Sequence, residues 1–261
     1  MAKMQNGGTG TPEAPISTRF LEPAPKRVQP KSADIAPGPG FMIRRTFRRP
    51  DPEIVAGFEP FESTDISDSL NRLYTMGEAI HNVVNDAPLL GPACTVKVYP
   101  GDNLMVHKIL DIAQPGDVVV VDGSGSMNAA LIGDLVANKA RHRGIAGFII
   151  DGLVRDLPGL RECGLPIYAR GVTPFGPLHR GPGEVNYPVS CGGIVVKPGD
   201  VIRADLSGVT VVPRDWSGEI LKRLEAGREA LAKYTDDVKR GVFSNAWVDD
   251  QLEASGCLFD D

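Results

Sequence analysis

Residues 133–156 read GDLVANKARHRGIAGFIIDGLVRD, a Gly-Asp pair followed twenty-two residues later by an Arg-Asp pair. Between them lie a helical pattern from Leu135 to Arg143, a glycine stop at Gly144 and an apolar run, Ile145 to Ile150. A helix that feeds a strand is the reading. A helix starting at Gly133 places Asp134 in its first turn, where free N–H groups and the positive end of the helix dipole favour anions. The strand Gly147 to Asp151 ends a few residues before Arg155 and Asp156, and a rigid sheet aims groups in such loops. Two carboxylates, a guanidinium and a helix N-terminus are the parts of a site for a hard cation and an anionic ligand.

Outward from this stretch, Pro115-Gly116-Asp117 starts Val118 to Val121, a continuous β-branched run of the kind buried on both faces. With the helix and the strand to Asp151 it forms a βαβ unit. Gly123 and Gly125 supply GxG without a third glycine at the spacing of a dinucleotide fingerprint, so no dinucleotide site is predicted. Upstream, Pro52 opens a short helix, Ser63 to Asp68 cap a second near Ser69 to Arg72, and Gly91-Pro92-Ala93 introduce a half-buried strand, Cys94 to Tyr99. Leu104 to Ala113 is a helix; its His107 reads as a surface or satisfied core histidine rather than a base.

Downstream come a short strand, Leu165 to Ala169, a Gly/Pro loop from Gly171 to Gly183, and strands within 185–196, 201–205 and 208–212. A long helix starts near Ser217, with Ile220, Leu221, Leu224, Leu231, Tyr234 and Val238 as its apolar stripe. Trp216, Trp247 and Tyr234 read as packing residues. Residues 1–52 hold nine of the 22 prolines and read as an extended arm. The domain expected is 53–240, with 241–261 as a tail.

A chain of 261 residues with 42% hydrophobic content buries a core without disulfides or structural metal. A net charge of −5 predicts no nucleic-acid ligand, and the run Arg44, Arg45, Arg48 and Arg49 reads as a solvated or subunit-contacting arm. Cys94, Cys163, Cys191 and Cys257 form no CxxC pair, so no zinc site is expected and a reducing compartment is. No leader pattern and no apolar run of about 20 residues is found. The expectation is a soluble, cytoplasmic protein with no membrane partner.

The motifs DNL (102–104), PGDVVVVDG (115–123), GDL (133–135), RGIAGFIIDGLVRD (143–156), PV (188–189), GG (192–193), PGDVIRAD (198–205) and GVTVVP (208–213) follow in order along the chain. Together they resemble the class II 4-hydroxy-4-methyl-2-oxoglutarate / 4-carboxy-4-hydroxy-2-oxoadipate aldolases, a family that also contains the regulator of ribonuclease E activity A. The likeness spans roughly residues 60–235 and leaves the first fifty unexplained. It implies an α/β sandwich of the swivelling phosphohistidine-domain type, with mixed sheets, a βαβ core and a long C-terminal helix. Trimers or hexamers with active sites between subunits are implied as well. Asp156 would bind the divalent ion directly, Arg155 would hold the pyruvyl group, and Asp134 would act through water. Glu229, with Glu225 as its rival, would reach the ion's waters from a neighbouring subunit; this helix matches the family only loosely.

Such an enzyme breaks the C3–C4 bond of a 4-hydroxy-2-oxo acid and must stabilise the pyruvate enolate, by a Schiff-base lysine or by a divalent metal. Lys139 lies in a polar helix beside Arg141 and Arg143, which favours metal; Mg²⁺ suits one direct carboxylate and several waters, and Mn²⁺ has compatible preferences. Arg155 would stabilise the 2-oxo oxygen, and backbone N–H groups at Gly133, Asp134 and Leu135 would receive the substrate carboxylate. The C4 hydroxyl proton would go to an activated water held by Asp134. Oxaloacetate decarboxylation, which forms the same enolate, is an expected companion. On the residues alone, Arg155-Asp156 also fits a surface pair, Asp134 a capping acid and Glu229 a solvated charge. The alternative function is a non-enzymatic regulator that docks on a ribonuclease or another protein. A methyltransferase is excluded by the lack of a glycine-rich cofactor loop with its ribose-binding acid.

Overall fold

The run of four valines from Val118 shows no polar alternation because both of its faces are covered. The structure is a computed structural model that describes residues 34–260. The part of the expected N-terminal arm up to residue 33 lies outside the described residues, and all elements below belong to the unit Pro37–Asp261.

In chain order they begin with β1 (Phe41–Ile43), α1 (Pro52–Gly57), α2 (Ser63–Ser69), β2 (His81–Asn82), β3 (Leu89–Val98) and α3 (Leu104–Ile109). The centre is β4 (Val118–Ile132), α4 (Asp134–His142), β5 (Gly147–Val154), α5 (Leu157–Cys163) and β6 (Ile167–Val172). Then follow β7 (Gly183–Val185), β8 (Val189–Cys191), β9 (Ile194–Val196), β10 (Val201–Asp205), β11 (Gly208–Val212), α6 (Ser217–Lys239) and α7 (Ala246–Ala254). The fold is mixed α/β. Strands β3, β4, β5 and β6 are mutually parallel in a sheet ordered β1-β7-β3-β4-β5-β6-β2. The first half of β3 pairs antiparallel with β10, which carries β11 on its other side.

Alternation along the parallel strands divides the core. Val119, Val121, Phe148 and Ile150 pack under Val106 and Ile109 of α3, Val136 and Ala140 of α4, and Leu160 of α5. Val118, Val120 and Ile149 point to the opposite face, against Val189 of β8, Val196 of β9 and Ile202 of β10. A third cluster, with Phe58, Phe61, Ile66, Leu70, Ile220 and Leu224, seats α2 and the start of α6 on Val201 and Val212.

Several elements differ from the sequence-based expectation. α2 begins at Ser63, not near Ser69, because Glu62 and Asp65 form a capping box and Asp205 accepts bonds from both the Ser63 N–H and its hydroxyl, each 2.7 Å. β3 starts at Leu89 and runs through Gly91-Pro92, since two partner strands use its two halves. β4 continues past the glycines to Ile132, spending its surplus over β5 in irregularities between Asp122 and Ile132. In α6 only the first part of the stripe is covered; Leu231, Tyr234 and Val238 are exposed. A helix of 23 residues spans about 34 Å and overruns the short α1 and α2 beneath it. Trp216 and Trp247, expected to pack, are 58% and 64% exposed.

The arginine run is partly folded in rather than solvated. The Arg44 guanidinium lies over Tyr187, 4.3 Å from the ring centroid, and Arg49 grips Asp117 through Nε and Nη2 at 2.8 and 2.6 Å. Asp117 is 1% exposed and also accepts the Gln114 N–H.

Arg49→Ala leaves that carboxylate without its cation and is expected to lower unfolding free energy by about 3 kcal/mol, read from urea melts. Asp205 gives a pH signature. Burial disfavours its charge, but bonds from the Ser63 hydroxyl and N–H and the Ser207 N–H, with the Arg203 charge, outweigh burial and hold its carboxyl below the usual carboxylate range. A depressed carboxyl contributes stability above its unfolded value of about 3.9 and loses it as pH falls through the folded value. Asp205→Asn should therefore melt earlier than wild type at neutral pH by about 1 kcal/mol, and the gap should close below about pH 4.

Candidate active site

Val154, the last residue of β5, pairs with Ile132, the last of β4, and the Arg155 N–H donates to the Ile132 carbonyl at 3.0 Å. That clamp sets Gly133-Asp134 beside Arg155-Asp156. Asp134 occupies the first turn of α4, and its Oδ1 accepts the Leu135 N–H at 2.7 Å. The backbone donor at Leu135 is thus already engaged by Asp134, and the Leu135 side chain is 72% exposed.

Asp156 sits at the N-cap of α5 in the left-handed region, φ 58° and ψ 43°, yet its carboxylate makes no capping bond. Left-handed backbone at a residue other than glycine costs on the order of 1–3 kcal/mol and is retained where the surroundings demand it. Here the carboxylate is turned over Gly133, where an added Cβ would collide with Asp156 Oδ2. Similarly, a Cβ on Gly159 would stand 2.7 Å from Asp134 Oδ2, and one on Gly176 would stand 2.5 Å from Arg155 Nη1. Three glycines therefore make room for the side chains of Asp134, Arg155 and Asp156. Arg155 Nε lies 3.2 Å from Asp156 Oδ2, but off the hydrogen-bond direction: it is buried with no hydrogen-bond partner among the described residues. A buried charged donor without a hydrogen-bond partner is uncommon and sets Arg155 apart from the arginines that tie the fold together.

These groups line a cavity of about 190 Å³ with Asn103, His107, Lys139, Pro177 and His179. Gly133, Asp134, Leu135, Arg155 and Asp156 all come together in it, as the spacing of the two pairs predicted. Glu229 and Glu225 do not line it; both are exposed on α6. His107, read from sequence as a bystander, faces the cavity and is pushed below its ordinary pKa by burial first and then by the nearby Lys139 charge. Lys139 lines it too, but exposed, as a charge for an anion and not as a desolvated amine. Lys139, five residues beyond Asp134, is not at the one-turn spacing that marks a shared helix face, and His179, forty-five residues beyond Asp134, gave no local signal either. An open groove of about 740 Å³ between α2 and α6 is larger; it is lined by charged residues such as Asp65, Asp68, Arg223 and Arg228, but none of the Gly-Asp and Arg-Asp residues lies in it.

Among the described residues no three His, Cys, Asp or Glu form a group able to hold a metal. Two neighbouring carboxylates still fit Mg²⁺ or Mn²⁺, which keep several waters and take few protein oxygens, and they do not fit tetrahedral zinc. No described helix is long and apolar enough to cross a membrane.

A family model described as RraA-like, Aldolase/RraA, matches residues 63–211, more than half of the chain. A protein of Halalkalibacterium halodurans, provisionally named 4-hydroxy-4-methyl-2-oxoglutarate aldolase, is 38% identical over 188 residues, covering 72% of this chain and 87% of that one. The 4-hydroxy-4-methyl-2-oxoglutarate aldolase of Thermus thermophilus is 37% identical over 160 residues, covering 60% of this chain and 94% of its own. Among solved structures, Streptomyces coelicolor RraAS2, described as an unusual member of the RNase ES inhibitor RraA protein family, superposes with a TM-score of 0.65 at 29% identity. That likeness covers 73% of this chain and 99% of that one. With its motifs in order, its sheet matched and the Gly-Asp and Arg-Asp pairs clamped into one cavity, this chain belongs to the RraA-like family.

Proposed function

We propose that this protein is a divalent-metal-dependent aldolase that cleaves 4-hydroxy-2-oxo acids, such as 4-hydroxy-4-methyl-2-oxoglutarate, to pyruvate, with oxaloacetate decarboxylation as a side activity. The observation that carries the reading is the convergence of Asp134, Arg155 and Asp156 in one small cavity, with Arg155 Nε lacking a hydrogen-bond partner among the described residues. The relatives named as aldolases support it.

Asp156 would ligate Mg²⁺ or Mn²⁺ directly and Asp134 through water, and the bound ion would supply a Lewis acid for charge developing on the substrate's 2-oxo oxygen. Arg155 adds a fixed cation at the same oxygen, aimed by the end of β5 and by the loop at Gly176. Lys139 offers a charge for a substrate carboxylate, beside the start of α4. Glu229, or Glu225, would complete the site from a neighbouring subunit of a trimer or hexamer built as a swivelling-type sandwich, and the protein would work in the cytoplasm. A second reading, docking on a ribonuclease or another protein, draws on the likeness to RraAS2. It does not account for a carboxylate held in left-handed backbone over a glycine.

Pyruvate release, coupled to lactate dehydrogenase, tests the choice. Wild-type protein with Mg²⁺ should release pyruvate from 4-hydroxy-4-methyl-2-oxoglutarate and from oxaloacetate, EDTA should abolish both, and Arg155→Ala should cost about 100- to 1,000-fold in kcat. No metal-dependent release from either substrate by the folded protein would move the assignment to the docking role. Gly133→Ala should keep the fold but displace the Asp156 carboxylate, lowering kcat/KM by about 100-fold with a melting temperature close to wild type.

A further inference from the structure

The Gly/Pro loop after β6 is not free to wander where it passes the cavity. The Leu178 N–H donates to the Gly101 carbonyl at 2.8 Å, the Asn103 N–H to the Leu178 carbonyl at 2.9 Å, and the Arg180 N–H to Asp102 Oδ2. Asp102 is 2% exposed and its other oxygen accepts the Leu104 N–H, so the loop is zipped to the start of α3. His179 lies at the centre of this zipper.

Its tautomer follows from its neighbours. Asn103, 2% exposed, donates from Nδ2 to the Leu131 carbonyl at 2.8 Å. A carbonyl only accepts, so the amide cannot be turned the other way, and Oδ1 is the atom that meets His179 Nδ1 at 2.6 Å. That oxygen also only accepts, so Nδ1 carries the hydrogen and Nε2 of the neutral ring carries a free lone pair. His107 stands edge-on to the same ring, with centroids 5.5 Å apart and planes at 63°. An imidazole whose Nδ1–H is held by a buried amide, leaving Nε2 as the atom that can take a proton, on the wall of a cavity shared with Asp134 and Arg155, has the arrangement of an oriented general base.

We propose that His179 is the proton carrier of the aldol cleavage. This rests on the lyase reading above and replaces the water expected there as base. Nε2 takes the proton of the substrate's C4 hydroxyl; the C4–O bond becomes a carbonyl as the C3–C4 bond breaks, and that bond's electron pair passes into the pyruvate enolate. The imidazolium then returns the proton from Nε2 to C3, pyruvate leaves, and the ring is neutral again. Asn103 is a positioning residue: its Oδ1 accepts the Nδ1–H throughout and favours the charged ring.

Oxaloacetate separates this role from binding, because its decarboxylation forms the same enolate with no hydroxyl proton to remove. The experiment compares saturating pyruvate release from 4-hydroxy-4-methyl-2-oxoglutarate and from oxaloacetate, with Mg²⁺, in wild type, His179→Gln and His179→Ala. His179 is exposed, so both variants should fold, and a thermal melt checks it. The expected result is a loss of aldol cleavage on the order of 100-fold or more, with a far smaller loss of decarboxylation. Equal losses would overturn the proposal and make His179 a binding residue. Undiminished aldol cleavage would overturn it too and send the proton to water. A wild-type protein that cleaves no 4-hydroxy-2-oxo acid offered would sink the lyase reading and this proposal with it.

Discussion

The parallel pairing of β4 with β5, closed by the Arg155 N–H on the Ile132 carbonyl, is the constraint on which the site depends. Five consecutive register pairs, Val118–Gly147 to Asp122–Asp151, lock the strands at the centre of the sheet. Beyond them β4 takes ten further residues to cover the distance that β5 covers in three, and the two ends still meet. What that surplus achieves is placement: α4 starts where β5 stops, so an acid in the first turn of a helix and a guanidinium at the end of a strand open on one space. A sheet buried on both faces makes this placement rigid, because slipping the register by one residue would exchange Val119 and Val121 with Val118 and Val120 between two filled clusters.

Around this centre the fold spends polar contacts where the chain has to be tied down. Arg49 brings the segment before α1 onto Asp117 at the entry to β4, Asp205 holds the start of α2 against the β10–β11 hairpin, and Asp102 pins the loop that carries His179. Each is a buried or half-buried carboxylate accepting more than one bond, the condition under which burying a charge is tolerated. The site differs in kind. Its arginine has a buried donor with no hydrogen-bond acceptor among the described residues, and its Asp156 holds a strained backbone without using its carboxylate as a cap. Stability would be served by the opposite choices, which is what the proposed role in ligand chemistry would explain.

The long C-terminal helix shows a limit of pattern reading. Its stripe is periodic from Ile220 to Val238, but a period says only that one side is apolar and not how far the surface beneath extends. Likewise, the valine run marked a strand only from Val118 to Val121, whereas β4 continues irregularly past the glycines at 123 and 125 because Ser126, Ala130 and Ile132 still pair with β5.

By itself the sequence determined the helix and strand between Gly133 and Asp156, the doubly buried valine run, the family motifs, and the acids and arginine of the site. These are local: a helix start, a strand end and a 3.6- or 2-residue period are written within a dozen neighbouring residues. Only the tertiary structure decided that Asn103, His107, Lys139 and His179 join them, that Asp134 engages the Leu135 N–H, and that the stripe of α6 is covered for only part of its length. The physical reason is distance along the chain. Asn103 and His179 lie 76 residues apart, and their 2.6 Å contact exists because Gly101–Asn103 and Leu178–Arg180 bond to each other, a pairing that no local pattern encodes.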